Sequence, residues 1–441
     1  MTQGTVPGVP VTDKQGTEAQ ARDWSWVEAS IWTGPMVSAL GNGVKGGKWY
    51  SLIDKAIRPA TLECAWRRVA RNKGAAGVDG QSIARFTLQA DRYLRELHED
   101  LNSGSYRPSP VRRVEIPKGD GKTRPLGIPT VKDRIVQTAL KLTIEPILEA
   151  RFRDGSYGFR PGRGCKDALR AVDRALKDGY AWVVDADLER YFDTIPRRDL
   201  MARLGDLISD GRVLELIDSF LQQDIMTETA RWTPVAGAPQ GAVISPILSN
   251  LYLHPLDELM EAEGYRMIRY ADDFVVLCRD EAQARAALAR VQAWVADNGL
   301  TLHPDKTHVG DCRQPGQGFD FLGYRFEAGR RYVRDKSLKA FKDKIRARTG
   351  RSRGVSLDHV IADLNPVLRG WFGYFKHARA RLFTQLDKFI RRRLRAMLRK
   401  QSRRPGFGKS YADHRQWTNA YFATRGLFTL STALRQARHS R

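Results

Sequence analysis

The sequence contains few cysteines and no long apolar run, and both absences restrict its class. Its four cysteines, Cys64, Cys165, Cys278 and Cys312, are spread over 441 residues without a CxxC pair. This pattern disfavours a disulfide framework and zinc fingers or ribbons, so we expect free thiols and no zinc. No run reaches the ~18 apolar residues of a membrane span, and the first residues lack the basic and apolar segments of a secretion signal. We therefore expect a cytoplasmic protein without membrane contact.

Acidic residues are scarce in the last quarter of the chain. Lysine and arginine exceed aspartate and glutamate by 74 to 50, a net charge of +24. From Arg331 onward there are 29 lysines and arginines against six aspartates and no glutamate, so +23 of that charge lies there. Apolar and aromatic residues recur at helical spacing in the same segment. The combination is typical of a folded domain that binds a polyanion such as nucleic acid.

The rest of the chain predicts a helical start followed by alternating strands and helices. Residues 1–23 are polar and are expected to be disordered. One helix is expected over residues 51–74, and a hairpin over residues 107–130. Short apolar runs at 181–188 and 265–278 are typical of buried strands. The last quarter has a helical pattern.

Two pairs of aspartates interrupt the apolar runs. Asp272 and Asp273 divide the 265–278 run, and Asp185 and Asp187 end the earlier one. The simpler interpretation of Asp272 and Asp273 is a turn satisfied by its own backbone. Two acidic pairs at strand ends favour instead a site for two Mg²⁺ ions about 3.5–4 Å apart, as polymerases use for phosphoryl transfer.

Several ordered motifs resemble those of group II intron-encoded reverse transcriptases. The run YADD resembles their YxDD signature, and VVDADLERYFDTI resembles their first catalytic motif. The segment GAPQGAVISPILSNLYLHPLD is similar to their nucleotide-site motif. Further blocks in the family's order are RPLGIPTVKDRIVQ, YGFRPGRGCKDAL and FDFLGYRF. Finally, NPVLRGWFGYFKHARARLFTQLDKFIRRRLR resembles their thumb and maturase domain, domain X, so the resemblance covers roughly residues 50–425.

The resemblance implies an α/β (α+β) right-hand polymerase. Its fingers and palm would contain antiparallel sheet, and an α-helical thumb and maturase domain would follow. We expect an N-terminal extension at residues 1–50, fingers and palm at 51–330, and the strongly basic thumb and domain X at 331–441.

The resemblance also implies a catalytic centre. Asp187, Asp272 and Asp273 would be the catalytic carboxylates and would bind two Mg²⁺ ions. The backbone of Leu188 would supply a further metal oxygen. Asp185 falls one motif position too early and is expected to be structural.

Six residues are implied in nucleotide binding: Lys122, Arg124, Phe192, Gln240, Gly241 and Lys306. The ring of Phe192 would exclude a 2′-hydroxyl and so favour dNTPs, although an ordinary core aromatic is the alternative. Arg124 and Lys122 would hold triphosphate oxygens, with plain surface charge as the rival interpretation for Lys122. Lys306 would donate a proton near the leaving pyrophosphate.

Basic residues and aromatics alternate in the segment that resembles domain X. The residues implied in RNA binding are Trp371, Tyr374, Lys376, Arg379, Arg391, Arg392, Arg393 and Arg395. Such a mixture suits base stacking and phosphate contact, while the alternative for each ring is the core of the domain.

The implied function has two parts. The first is RNA-directed DNA polymerisation, extending a primer on an RNA template with dNTPs. The second is binding of group II intron RNA to assist its splicing and its retrohoming into a DNA target, in the bacterial cytoplasm or nucleoid. No HNH endonuclease segment follows domain X, so second-strand cleavage is not expected. Two alternatives stay open: a related polymerase recruited to phage defence, DNA repair or spacer acquisition, and a non-catalytic RNA-binding splicing cofactor.

Overall fold

The computed structural model describes residues 22–119, 122–227, 230–234, 236–238 and 240–439. The expected disorder at the start of the chain falls mostly on residues outside these ranges. The side chain of Lys122, one of the predicted nucleotide ligands, also lies outside the described part of the chain. No helix within the described residues is both long and apolar enough to cross a membrane.

A helical layer opens the described chain. Its helices are α1 (Gly34–Asn42), α2 (Ile53–Ala56), α3 (Pro59–Arg71), α4 (Ile83–Thr87) and α5 (Ala90–Ser103). Proline suits the first helical position, because its fixed φ is helical and the missing N–H has no partner there anyway. Pro59 begins α3 for this reason. The single helix expected over residues 51–74 is therefore wrong, since two helices occupy that segment.

A sheet built on a long hairpin follows, and we call it the hairpin sheet. Its strands are β1 (Val111–Gly119), β2 (Lys122–Ile128), β4 (Ile225–Met226) and β5 (Arg231–Trp232), in the order β2-β1-β4-β5. Strands β1 and β2 pair antiparallel, with Arg112 opposite Ile128 and Ile116 opposite Arg124. The hairpin predicted from residues 107–130 is confirmed.

The second sheet, which we call the central sheet, is antiparallel throughout. Its strands are β3 (Trp182–Asp187), β6 (Arg266–Tyr270), β7 (Asp273–Cys278) and β8 (His308–Asp311), in the order β6-β7-β3-β8. Its connections and surroundings include α6 (Val131–Glu149), α7 (Cys165–Lys177), α8 (Tyr191–Thr194), α9 (Arg197–Gly205), α10 (Gly211–Leu221), α11 (Ser245–Ala262) and α12 (Glu281–Asp297). The buried strands that the two apolar runs predicted are present: β3 in the first run, and β6 and β7 in the second.

The remaining chain is a small sheet and then helices. The small sheet contains β9 (Phe319–Phe321), β10 (Tyr324–Glu327) and β11 (Arg330–Val333). The helices after it are α13 (Asp335–Arg348), α14 (Leu357–Phe375), α15 (Ala380–Gln401), α16 (Tyr411–Gln416), α17 (Asn419–Thr424) and α18 (Leu430–His439). The domain boundary expected at residue 330 falls at the first residue of β11, inside the small sheet, and stays a prediction.

Each face of the central sheet packs against a different hydrophobic core. Successive side chains of a strand point to opposite faces. Val184 and Ala186 accordingly join the core formed with the N-terminal helices and α6. Val183 and Val275 join the core formed with the small sheet and the C-terminal helices. The sheet is therefore fixed from both sides, and its end can hold side chains in defined positions.

The last helix is docked through a buried carboxylate. Asp387 on α15 is almost fully buried and accepts hydrogen bonds from the backbone N–H groups of Leu430 and Ser431, both at 2.9 Å. The hydroxyl of Ser431 donates to the same carboxylate at 2.6 Å. These bonds satisfy donors that the first turn of α18 cannot satisfy within the helix.

We predict that Asp387→Ala releases α18 from α15. Three hydrogen-bond donors, all at least partly buried, lose their acceptor, which should cost about 2–4 kcal/mol of local stability. Hydrogen exchange of the α18 amides should accelerate accordingly. The matched control is Asp358→Ala, which removes an exposed carboxylate paired with Arg425 and should cost less than about 1 kcal/mol. Unchanged exchange in Asp387→Ala would contradict this docking role.

Candidate active site

The acidic residues meet at one end of the central sheet. Asp187, the last residue of β3, lies directly opposite Asp273, the first residue of β7. Asp272 occupies the two-residue turn that joins β6 to β7, together with Ala271. Asp185 lies two residues before Asp187 and therefore on the same face of the strand. The structure thus brings together all four aspartates that the sequence singled out.

The turn that carries Asp272 is strained and closely packed. Ala271 has a φ of +60°, a conformation that non-glycine residues rarely adopt. Gly158 lies against it, and a Cβ at Gly158 would come within 2.3 Å of the Ala271 nitrogen. Such strain persists only where the surrounding structure fixes the backbone.

A buried arginine fixes this backbone. Arg269 on β6 is fully buried, and its guanidinium donates to both carboxylate oxygens of Asp257 on α11, at 2.8 and 2.5 Å. The same guanidinium donates to the carbonyl oxygen of Ala271 and to the side-chain oxygen of Asn250, both at 2.9 Å. Asn250 in turn donates to the carbonyl of Gly158 at 2.7 Å. The network connects α11 to both sides of the turn.

Sequence reasoning missed Arg269, Asp257 and Asn250. A signal was present, because an arginine inside an apolar strand must find a buried partner. The identity of that partner was not readable, since Asp257 and Asn250 lie on a helix whose packing against β6 no local pattern reports.

Burial and mutual repulsion make the clustered carboxyl groups harder to ionise. Burial first, and then the charges of Asp185, Asp272 and Asp187, raise the pKa of Asp273 to about 7. Burial and the charge of Asp320 raise the pKa of Asp185 to about 7 as well. The pKa of Asp272 is also raised, mainly by burial. Asp187 forms an ion pair with the ammonium of Lys306.

The donor set fits Mg²⁺ in a substrate complex. No three histidine, cysteine, aspartate or glutamate side chains in the described part of the chain are arranged to hold a metal ion by themselves. Magnesium, however, is usually bound through one or two carboxylates together with water and substrate phosphates. Asp187, Asp272 and Asp273 offer the hard oxygen ligands it prefers, and a cation would relieve the mutual repulsion that adds to burial in raising the pKa values of Asp272 and Asp273.

The neighbourhood of Leu188 is defined by backbone bonds. Leu188 is buried and forms an isolated antiparallel bridge with Leu302. The amide of His303 donates to the carbonyl of Asp187 at 2.8 Å, which holds the segment of Lys306 beside the carboxylates. Metal binding by the Leu188 backbone stays a prediction.

Three of the predicted nucleotide residues, Arg124, Gln240 and Gly241, connect the hairpin sheet to the segment before α11 and to α8. The guanidinium Nε of Arg124 donates to the side-chain oxygen of Gln240 at 3.1 Å, and the Gln240 amide donates to Asp193 at 3.0 Å. Gly241 has a φ of +105°, and a Cβ there would lie 2.3 Å from the Gly127 carbonyl, so glycine is required. Asp193 is a further contact that the sequence did not suggest.

Phe192 lines a cavity of about 290 Å³ between the hairpin sheet and α8. Gly127, Gln240 and Trp232 line the same cavity. The ring of Phe192 is only partly buried and lies 5.5 Å from that of Tyr191. A partly buried ring facing a cavity suits a ligand-facing role, which stays a prediction.

Two of the aromatics expected to bind RNA pack inside the protein. Trp371 stacks on Phe341, with ring centroids 4.1 Å apart and an interplanar angle of 13°. The hydroxyl of Tyr374 donates to the carbonyl of Leu322, and its own carbonyl accepts a bond from Tyr324, both at 2.7 Å. Both rings are partly buried and hold α14 against its neighbours, which favours the core alternative for each, and RNA stacking by them stays a prediction.

Two of the predicted RNA-binding arginines also have internal partners. Arg395 is buried, and its Nε donates to the carbonyl of Trp417 at 2.8 Å. Arg393 donates to the hydroxyl and the carbonyl of Thr349, both at 3.0 Å. The expectation that they face a nucleic-acid backbone is corrected, because these guanidinium groups satisfy carbonyl groups at helix ends.

The other four predicted RNA-binding residues are at least partly accessible to solvent: Lys376, Arg379, Arg391 and Arg392. Arg379 is exposed and lies over the ring of Tyr332, 5.4 Å from its centroid. Burial lowers the pKa of Arg391, which is half-buried. Nucleic-acid contact by these four residues stays a prediction.

Two known families match the chain. The family "Reverse transcriptase (RNA-dependent DNA polymerase)" matches residues 116–326, which contain the carboxylate cluster and the cavity beside Phe192. The family "Group II intron, maturase-specific domain" matches residues 338–417, which run from α13 to the end of α16. The chain belongs to the group II intron-encoded reverse transcriptases that carry a maturase domain. The right-hand α/β polymerase fold and the enzyme class, RNA-directed DNA polymerase, are thereby confirmed, and this class normally uses divalent metal ions.

Two individual relatives support this membership. Protein YkfC of Escherichia coli is 35% identical over 318 residues, covering 62% of this chain and 82% of YkfC. The group II intron-encoded protein LtrA of Lactococcus lactis is 35% identical over 207 residues, covering 46% of this chain but only 34% of LtrA. A solved structure titled "Partial Cas6-RT-Cas1--Cas2 complex" shows 27% identity at a TM-score of 0.36, covering 56% of this chain and 41% of that chain.

We predict that Arg269→Lys weakens both the fold and catalysis. Lysine keeps the charge but cannot bond Asp257, Asn250 and the Ala271 carbonyl together, so the free energy of unfolding should fall by about 2–4 kcal/mol. The turnover number for dNTP incorporation should fall more than the KM for dNTP changes, because the turn that carries Asp272 loosens. The control Arg266→Lys, on the same strand but exposed beside Asp178, should cost under about 1 kcal/mol. Wild-type stability and turnover in Arg269→Lys would contradict this role.

A second prediction concerns pH. The pKa of Asp185 is about 7 in the folded protein against an ordinary 3.8, so the folded state binds more protons between these values. Stability of the metal-free protein should therefore fall as pH rises from about 4 to 7, by up to about 1 kcal/mol per pH unit from this group. An asparagine at position 185 does not ionise, so Asp185→Asn should not show this fall in stability with rising pH. The stability of Asp185→Asn relative to wild type should therefore increase from about pH 4 to 7 and stay constant above that range. Thermal unfolding in EDTA measures this, and a pH-independent difference would refute it. Asp297→Asn, at an exposed site, is the control.

Proposed function

We propose that the chain extends a DNA primer on an RNA template with dNTPs and uses two Mg²⁺ ions held by Asp187, Asp272 and Asp273. The observation that carries this proposal is the meeting of the three carboxylates at one end of the central sheet. Bound there, two such ions would activate the primer 3′-hydroxyl and stabilise the charge of the leaving pyrophosphate.

The chain's own residues supply the remaining functions. Arg124 and Gln240 form one hydrogen-bonded unit with Asp193, and Gln240 and Asp193 line the same cavity as Phe192. In this proposal Arg124 holds triphosphate oxygens, while Phe192 lies under the sugar and excludes a 2′-hydroxyl. The Lys306 ammonium, next to Asp187, is placed to donate a proton to the pyrophosphate.

We propose further that the chain binds group II intron RNA, assists its splicing and its retrohoming into a DNA target, and acts in the bacterial cytoplasm. The match of residues 338–417 to a maturase-specific domain supports the intron as partner. The positive charge of the last quarter supports a polyanionic partner in general, since each phosphate contact releases counterions.

The decisive experiment is single-nucleotide extension by Asp272→Ala on an RNA template with a DNA primer. Loss of one metal-binding carboxylate should lower incorporation at least about 1,000-fold, while binding of intron RNA survives. The control Asp297→Ala removes an exposed carboxylate at the end of α12 and should extend the primer at the wild-type rate. Undiminished extension by Asp272→Ala would overturn the metal assignment. If the wild-type protein binds RNA but extends no primer, the non-catalytic RNA-binding splicing cofactor is the interpretation that remains.

A further inference from the structure

The connection between α15 and α16 exposes two large aromatic side chains. We call residues 402–411 the connector loop. Phe407 is 67% exposed and Tyr411, its last residue, is 79% exposed. Aromatic rings of this size are usually buried, so two of them four positions apart and open to solvent indicate a surface that binds a partner.

The exposure of Phe407 is not a result of loose packing. Gly408, with a φ of +69°, approaches α15 so closely that a Cβ would lie 2.6 Å from the Ala396 nitrogen. Arg351 donates to the carbonyl of Gly406 at 2.8 Å, and Arg399 donates to the carbonyl of Pro405. The backbone on both sides of Phe407 is therefore held against the domain while the ring points outward.

Positive charge surrounds the two rings. From residue 389 to the C-terminus there are 14 lysines and arginines and one acid, Asp413. That carboxylate is buried and paired with Arg399, so it does not offset the charge at the surface. Lys400, Arg403 and Lys409 are exposed and make no side-chain hydrogen bond or ion pair within the described residues.

Cations also lie over the rings themselves. The guanidinium of Arg351 is 4.8 Å from the centroid of Phe407, and that of Arg415 is 6.0 Å from the centroid of Tyr411. An arginine over one part of a ring leaves the rest of that ring free to stack on a base. Its guanidinium can then contact the phosphate of the same nucleotide. An apolar protein partner would instead have to desolvate these charges.

We propose that the connector loop is a binding platform for unpaired nucleotides of RNA. Bases stack on Phe407 and Tyr411, and the adjoining phosphates contact Lys400, Arg403 and Lys409. Unpaired RNA is the occupant that the surface fits, because a duplex hides its base faces and could use only the charges. This inference depends on the proposed RNA-binding function. In it, Phe407 and Tyr411 take the place of Trp371 and Tyr374 as the aromatic contacts.

The first experiment measures binding of an oligouridine of about 12 nucleotides, with the polymerase cleft occupied by excess primer–template. Phe407→Ala and Tyr411→Ala should each weaken binding about 10-fold, whereas Phe407→Trp should bind like wild type. The slope of affinity against salt should stay unchanged in the alanine variants, because no charge is removed. The control Tyr50→Ala removes a tyrosine that is 63% exposed in the N-terminal region and should have no effect.

The second experiment separates stacking from charge. The double variant Lys400→Gln/Lys409→Gln should reduce the slope of log affinity against log salt concentration by about 1.4. It should weaken the binding of oligouridine and of an RNA duplex of about 16 base pairs to the same extent. The alanine variants should weaken oligouridine only. Photocrosslinks from 4-thiouridine should map to Phe407 or Tyr411.

Three outcomes would overturn the proposal: wild-type oligouridine affinity in both alanine variants, equal weakening of the duplex by these variants, or displacement of oligouridine by an acidic peptide as readily as by RNA. Primer extension on a pre-annealed template should be normal in all loop variants. Failure of the platform is thereby distinguishable from failure of the polymerase, which Asp272→Ala tests.

Discussion

The buried ion pair between Arg269 and Asp257 is the interaction on which the active site depends. It places a charged group inside a sheet, where only a bidentate partner and full hydrogen bonding make the burial tolerable. In return, Arg269 reaches the carbonyl of Ala271 and holds a turn with unfavourable backbone geometry. The position of Asp272 relative to Asp187 therefore follows from α11 as much as from the strands that carry the carboxylates.

The second constraint is the burial of the central sheet on both faces. One face packs on α11 and α12, and the other on α7 and the small sheet, in a core that the C-terminal helices complete. The basic C-terminal region thus shares a core with the strands that end in the carboxylates. Residues such as Trp371 and Tyr374 pack against this shared core, whereas Phe407 projects into solvent from the connection between α15 and α16.

The carboxylates were predictable because a short, ordered motif encodes them and strand pairing brings them together. The fold class followed from the same motifs. Other features depend on contacts that no local pattern reports. Arg395 lies in a run of arginines yet is buried against Trp417, 22 positions away. Aromatics at helical spacing suit a core and an RNA surface equally, so the sequence could not separate Trp371 from Phe407.

The measurement that tests the central claim most directly is backbone cleavage by Fe²⁺ in place of Mg²⁺, since hydroxyl radicals cut the chain nearest the bound ion and both ions take oxygen ligands. The account predicts cleavage in two separate segments, beside Asp187 at the end of β3 and beside Asp272 in the β6–β7 turn, with both suppressed by Mg²⁺. Cleavage in only one of these segments, or cleavage insensitive to Mg²⁺, would contradict a single metal centre built from the two strand ends.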